Sequence, residues 1–140
     1  MIDFIKLDIT HIPEDTLLSN PLIKWNQGFN PTTGEISDYP IRGELQNCKI
    51  VVTDNQKVLS GSLHILYNLI NNRDRQNWDD FNYKDLANMI FWLKSNIGLD
   101  PTRSTIQNVE FGVNVGTLKC PTKLIDENVI VWNGRYILRI

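Results

Sequence analysis

The chain has 140 residues, of which 41% are hydrophobic and 21% are charged, a composition that is typical of a folded domain and excludes disorder throughout. Its formal net charge of −2 argues against tight, autonomous binding to a phosphate backbone, because nucleic-acid binders commonly carry a basic excess. No apolar run approaches the about 20 residues of a membrane span, and the start of the chain lacks the features of a signal peptide. We therefore expect one domain over residues 1–140, away from any membrane and in the cytoplasm, or in the host cytoplasm if a phage encodes it.

The first part of the chain predicts a strand, a helical turn and a hairpin. Apolar and charged residues alternate over 5–9, which is the pattern of a half-buried strand. Pro13 is placed where a short helix begins. Two strand-like arms then flank the sequence PTTGE at 31–35, whose Pro and Gly suit a tight reversal, so a hairpin is predicted there.

A second hairpin is predicted in the segment NCKIVVTDNQKVLSGSLHILYNLI. Residues 50–52 form its first arm, Asp54-Asn55 forms its turn, and residues 58–69 form a long second arm. Gly61 lies within the second arm and indicates a bulge or a close approach of the backbone to a neighbour. The sequence GSLHILYN is thus predicted to be part of a strand.

The clearest element is a helix at about 82–97. Asn82 is placed to cap it after a polar loop, and Gly98 is placed to end it. Asp85 in the first turn and Lys94 in the last turn suit the helix dipole. The apolar residues with helical spacing are predicted to pack in the core, and they are Leu86, Met89, Ile90, Leu93 and Ile97.

Two further strand signals complete the predicted fold. The sequence IQNVEFGVNV alternates over 106–115, and Asn133-Gly134 lies between two apolar arms, which is a strong hairpin signal. The whole pattern predicts an α+β fold. Its mostly antiparallel sheet would have six to eight strands arranged in hairpins, and one main helix would pack on one face.

The strand IQNVEFGVNV carries a polar face, which is either a solvated surface or the lining of a site. Alternation places its valines on one side and Asn108, Glu110 and Asn114 on the other. The same alternation over GSLHILYN places His64 on a polar side. If the two strands are neighbours, His64 and Glu110 come within hydrogen-bonding reach and form an acid–base pair or half of a metal site. A sheet covered by a helix on one face also has a wet face, and we favour that interpretation.

Few other residues suggest chemistry. Cys48 and Cys120 are far apart in the sequence and outside any CxxC motif, which favours two buried free thiols over a zinc site. We expect no cofactor and no bound metal. Arg73 and Arg75 are the nearest approach to a basic cluster, and Trp78 lies beside them in a polar loop, so these three residues are candidates for contact with a partner.

Several segments resemble one family when they are taken in order. They are MIDFIKLDI, GSLHILYN, DDFNYKDL, and the helix that runs into IGLDP and IQNVEFGVNV. Over about residues 1 to 116 they are similar to the N-terminal region of replication-initiation proteins of the filamentous-phage gene II/X type, as found in phages and plasmids of Bacteroidetes. Such initiators nick one DNA strand with a tyrosine, assisted by a divalent metal that a histidine pair helps to hold. This sequence has no such histidine pair, and its tyrosines stand in no nicking motif.

The resemblance implies a nucleic-acid-associated module without nicking activity of its own. As a hypothesis, it locates contact with DNA or a metal at His64, Asn108, Glu110 and Asn114. One alternative is a small phage or mobile-element protein that inhibits a host protein or a nucleic-acid-guided defence complex, as anti-CRISPR proteins do. Such a protein would use an exposed aromatic patch near Trp78 or a free sheet edge. A second alternative is a small metal-dependent nuclease.

Overall fold

The fold is a six-stranded antiparallel sheet with helices on one face. It is seen in a computed structural model that describes residues 2–28, 32, 34, 36, 38–77, 79–112, 129–132 and 135–138. In chain order, the elements are β1 (Ile2–Asp8), α1 (Glu14–Leu18), β2 (Lys24–Asn26), β3 (Ile41–Leu45), β4 (Cys48–Val52), β5 (Lys57–Gly61), α2 (Leu63–Ile70), α3 (Tyr83–Ile97), β6 (Thr105–Phe111), β7 (Val129–Trp132) and β8 (Arg135–Leu138). The strand order is β2-β3-β4-β5-β1-β6, and β7 pairs with β8 in a separate two-stranded sheet. The predicted α+β class is confirmed.

The core lies between the helices and one face of the sheet. Buried and exposed residues alternate along the strands, as in β4, where Cys48 and Ile50 are buried and Lys49 between them is exposed. The helices complete the core with their own buried residues, which are Leu17, Leu63, Leu66, Met89, Leu93 and Ile97. The other face of the sheet is therefore free of helices within the described part of the chain.

The long helix is confirmed, and local chemistry explains both of its ends. The side-chain oxygen of Asn82 accepts hydrogen bonds from the backbone N–H groups of Lys84 and Asp85. The carboxylate of Asp85 in turn accepts one from the backbone N–H of Asn82 at 3.0 Å, which completes a capping box. Gly98 ends the helix in a left-handed conformation with φ of 78°. None of the described helices is long and apolar enough to cross a membrane.

Other predicted elements in the first half are confirmed as well. β1 covers residues 5–8 of the strand predicted at 5–9 and begins earlier. α1 follows Pro13, and β4 and β5 form a hairpin around the predicted turn. The predicted close approach at Gly61 is also present. A Cβ at this position, where φ is 153°, would lie 2.7 Å from Sγ of Cys48.

The prediction that GSLHILYN continues the strand is wrong. β5 ends at Gly61, and α2 begins at Leu63. Ser62 caps this helix, since its hydroxyl accepts a hydrogen bond from the backbone N–H of Ile65 at 3.2 Å. Leu63 and Leu66 are then buried at helical spacing. The serine cap and the helical apolar spacing decide the structure here, and the polar–apolar alternation does not.

Two hairpins agree with the sequence in part. β2 and β3 pair antiparallel, with Lys24 opposite Glu44, but β3 begins only at Ile41, so the second arm starts later than predicted. β7 and β8 pair as predicted, in their own sheet. Most of the PTTGE sequence and the Asn133-Gly134 turn lie outside the described residues.

Candidate nucleic-acid interface

Two residues of the predicted polar row lie on an exposed edge strand. Among the described strands, β6 pairs only with β1, at the end of the sheet order. Asn108 lies opposite Lys6 and is exposed, and Glu110 is exposed as well, whereas Val109 between them is half-buried. The described part of the row is therefore a solvated surface. Asn114 lies outside the described residues.

His64 does not lie on that face or on any described strand, so the condition for its pairing with Glu110, two neighbouring strands, is not met. The residue sits on α2, where its side chain is 0% exposed. Its Nε2 lies 2.8 Å from Oδ1 of Asp79, and its ring stacks on Phe81 at a centroid distance of 4.8 Å. The prediction fails because a helical turn redirects the side chain that strand alternation would have pointed outward. The geometry thus gives no support to a nuclease built on His64 and Glu110.

The contact between His64 and Asp79 belongs to a small polar cluster inside the helix layer. Asn68, which is also fully buried, donates from Nδ2 to the Asp79 carboxylate at 3.0 Å and to the carbonyl oxygen of Gln76 at 3.0 Å. Burial opposes ionisation of Asp79, but the Asn68 amide, backbone hydrogen bonding and nearby His64 outweigh it and lower the pKa of this carboxyl. The cluster fastens the loop between α2 and α3 to α2, which is a structural role.

The structure describes two of the three predicted partner-binding loop residues, Arg73 and Arg75. The Arg73 guanidinium lies 5.7 Å from the centroid of the Tyr67 ring, a cation–π arrangement. The Tyr67 hydroxyl donates to Asp85 at 2.8 Å, so this arginine is held against the junction of α2 and α3. Arg75 is exposed. Trp78 lies outside the described residues.

A row of polar side chains crosses the sheet face that no described helix covers, which we call the open face. Strand register aligns one residue from each of the six strands in this row. In order across the sheet, its members are Lys24, Glu44, Lys49, Ser60, Lys6 and Asn108. Buried residues flank Glu44, Lys49 and Lys6 in their own strands, so these side chains point away from the core. The register puts the other members of the row on the same face. We call it the lysine row.

The lysine row carries three lysines and one acid, and no described ion pair holds its central lysines. Glu44 is its single acid, and within the described residues no ion pair involves Lys6 or Lys49. Asp8 lies on the next row of the same face, and its carboxylate interacts with Gln56 and not with the lysines of the row. Its carboxylate accepts a hydrogen bond from Gln56 at 2.9 Å, which is the main cause of its lowered pKa. Among the described residues, the face therefore offers ammonium groups at its centre that no carboxylate holds.

Sequence reasoning missed this row because its members come from strands that are distant in the chain. Alternation within β1 and β4 already points Lys6 and Lys49 away from the core. What it cannot supply is the strand order and register that bring the two lysines to either side of Ser60.

The described residues offer little for metal or thiol chemistry. They contain no group of three or more His, Cys, Asp or Glu side chains placed to hold a metal ion. Cys48 is buried as predicted, and burial raises the pKa of its thiol to about 12, so it is not a thiolate at neutral pH. Cys120 lies outside the described residues.

Comparison of the chain with protein-family models, with curated proteins and with solved structures finds no match. The resemblance to replication-initiation proteins therefore stays a prediction from the quoted segments.

Proposed function

We propose that this chain is a nucleic-acid-associated module, as the resemblance to replication initiators implies, and that it binds a single strand on the open face of its sheet. The observation that carries the proposal is the lysine row. It places Lys6 and Lys49 on either side of Ser60, with no described ion pair to hold them. Although the chain as a whole is weakly acidic, the row provides the local basic stripe that contact with a phosphate backbone requires.

The spacing of the lysines suits an extended, flexible polyanion. Neighbouring strands lie about 4.8 Å apart, so backbone positions two strands apart are separated by about 10 Å. Lys6 and Lys49 are two strands apart, and each carries its charge on a flexible four-carbon stem. Both can therefore reach different phosphates of one strand, whereas the sheet face itself is too broad to enter a duplex groove.

The apolar residues of the open face add a surface against which bases can pack. Phe4 lies on β1, and Val51 and Val58 are opposite each other on β4 and β5; all three are half-buried. Single-strand binding proteins combine a positive surface with aromatic side chains on which bases stack. Phe4 is the aromatic residue that the open face offers for this purpose.

The proposal is tested by fluorescence anisotropy with labelled single-stranded DNA and RNA over a series of salt concentrations. The Lys6→Gln/Lys49→Gln variant should bind more weakly, and the slope of log affinity against log salt should shrink by about 0.7 for each phosphate that is no longer neutralised. Lys84→Gln is the matched control, since Lys84 is an exposed lysine on α3, in the helix layer. Its variant should keep the wild-type slope.

Two outcomes would contradict the proposal. One is the absence of binding to any single strand even at low salt. The other is binding that the double variant and the Lys84→Gln variant weaken equally for each lysine removed, because binding would then depend on overall charge and not on the lysine row.

A second candidate function is the binding of a host protein at the edge strand β6. Two of its apolar residues are strongly exposed, Ile106 at 59% and Phe111 at 74%. A partner that adds a strand would use the backbone groups of such an edge and cover these side chains. Hydrogen exchange separates the two candidates, because an added strand slows exchange of the outer β6 amides and a nucleic acid on the open face does not.

A further inference from the structure

A stripe of apolar side chains lies on the outer side of α3, in contact with solvent. Tyr83 is 84% exposed and Phe91 is 70% exposed, and Ala87 between them is exposed as well. The three residues are spaced four apart, so they follow one another along one side of the helix. Met89 and Leu93 are buried against the sheet, so the stripe points away from it. We call these three residues the aromatic stripe.

The aromatic stripe is symmetric about Ala87. Tyr83 lies about one helical turn before Ala87, and Phe91 lies about one turn after it. An antiparallel copy of α3 that crosses at Ala87 therefore places Tyr83 of each copy against Phe91 of the other, in two equivalent aromatic pairs. The small side chain of Ala87 at the crossing point lets two helices approach to about 8 Å, the short end of the range for packed helices. The stripe is thus complementary to itself.

Charges beyond the two ends of the stripe are also complementary to a second copy. Lys94 lies in the last turn of α3, and Asp80, which precedes the capping residue, is as far from Ala87 in the sequence as Lys94 is. Antiparallel pairing brings Lys94 of each copy toward Asp80 of the other, across a gap that the flexible four-carbon stem of lysine can span. Both residues are exposed, and neither makes an ion pair within the described residues. Charge pairs at the rim of an interface help to fix its register.

The area of the stripe predicts a weak association. An aromatic side chain buries about 150–250 Å², so the four rings of two copies would supply about 600–1,000 Å² of buried surface. Stable specific interfaces bury about 1,200–2,000 Å² in total, and smaller ones belong to weak or transient complexes. We therefore expect an equilibrium between monomer and dimer that depends on protein concentration.

We propose that the aromatic stripe is the interface of a homodimer, in which two α3 helices pack antiparallel across a two-fold axis at Ala87. A two-fold interface uses the same patch on both subunits, so it requires a surface that is complementary to itself. The symmetric placement of the aromatic rings and of the charges meets this requirement. The interface lies in the helix layer, on the side of the molecule opposite the open face, so the dimer leaves both lysine rows exposed. Dimer formation does not depend on nucleic-acid binding.

The test is sedimentation equilibrium of the full chain without nucleic acid, over about 1 μM to 500 μM, the range in which weak association is measured. The apparent mass should rise with concentration from that of the monomer toward that of the dimer. Ala87→Glu places two like charges against each other at the axis and should raise the dissociation constant by roughly tenfold or more. Asn88→Glu is the matched control, since it adds the same charge at an exposed position about 100° around α3, and it should dimerise like the wild type.

A mixing experiment tests the position of the axis. Ala87→Lys should also lose the dimer, but an equimolar mixture of Ala87→Glu and Ala87→Lys should associate more tightly than either variant alone, because opposite charges then meet at the axis. Circular dichroism of each variant shows whether it remains folded, which separates loss of the dimer from loss of the fold.

Three outcomes would overturn the proposal. One is a wild-type chain that stays monomeric over the whole concentration range. Another is a dimer that Ala87→Glu weakens no more than Asn88→Glu does, because a different surface would then join the two copies. The third is a mixture of the two Ala87 variants that associates no more tightly than the separate variants, because residue 87 would then not meet its own copy.

Discussion

At the scale of single residues, the polar cluster of His64, Asn68 and Asp79 is the feature whose removal should most reduce the free energy of unfolding. His64 and Asn68 are fully buried, and both direct polar atoms at the carboxylate of Asp79. Asp79→Ala would leave these groups without that acceptor, and such a change costs roughly 1–3 kcal/mol of stability. We expect a lower midpoint in urea unfolding, measured by circular dichroism.

Asp80→Ala is the control for this prediction, because Asp80 is the exposed neighbour of Asp79. Its variant should unfold within about 0.5 kcal/mol of the wild type. Equal effects of the two substitutions would show that the cluster does not hold the loop. The variants also test function, since a purely structural cluster should leave the salt dependence of nucleic-acid binding unchanged while the protein is folded.

At the scale of elements, the stability of α2 depends on the cap at its N-terminus more than on the helix propensity of its residues. The helix has eight residues, and isolated helices of that length are unstable in water. Ser62 satisfies one of its free N–H groups, so Ser62→Ala should destabilise the protein by about 1 kcal/mol. Ser95→Ala is the matched control, an exposed serine within α3, and it should be neutral or slightly stabilising. Thermal unfolding of the two variants checks the difference, and equal melting temperatures would contradict the cap assignment.

The two helices α2 and α3 also show which sequence signals predict a helix correctly. α3 was predictable because its cap, its apolar spacing and its terminal glycine all agree, and the structure adds only the capping box. α2 was missed because alternation from Val58 onward runs through Gly61 into the helix without a visible break. The informative signal was Ser62, followed by apolar residues at helical spacing. For a short helix that follows a strand, the N-cap residue is thus a better sequence signal than the polar–apolar alternation.

At the scale of the whole molecule, the fold class follows from the sequence, but the candidate interface does not. Strand alternation predicts which face of each strand is buried, as at Lys49 and Lys6. The lysine row exists only because β1 enters between β5 and β6, an order that no local pattern encodes. His64 lies on α2 and not on a strand, so strand order alone would not have brought it to Glu110. Long-range strand order therefore decides which of the candidate residues can act together.

Several acidic residues link the stability of the whole molecule to pH. The pKa values of Asp8, Asp85 and Asp100 lie below the ordinary value in the folded protein, chiefly because neighbouring side-chain or backbone donors hydrogen-bond to their charged forms. The folded state consequently binds these protons less tightly than the unfolded state. Their stabilising contribution is present above the ordinary carboxyl pKa of about 4 and is lost as the pH falls through the lower folded values.

Asp85 is the best residue for testing this linkage, because its carboxylate joins the capping box of α3 to the Tyr67 hydroxyl on α2. Asp85→Asn removes the titrating group and should lower the urea midpoint at neutral pH. As the pH falls from about 4 through the lowered folded pKa of Asp85, the wild-type carboxylate becomes protonated and the two proteins should converge in stability. Asp54→Asn, at an exposed turn, should follow the wild type at every pH. If the gap between wild type and Asp85→Asn stays constant down to acid pH, the helix junction does not depend on the charge of this carboxylate, and the acid sensitivity of the fold must come from other groups.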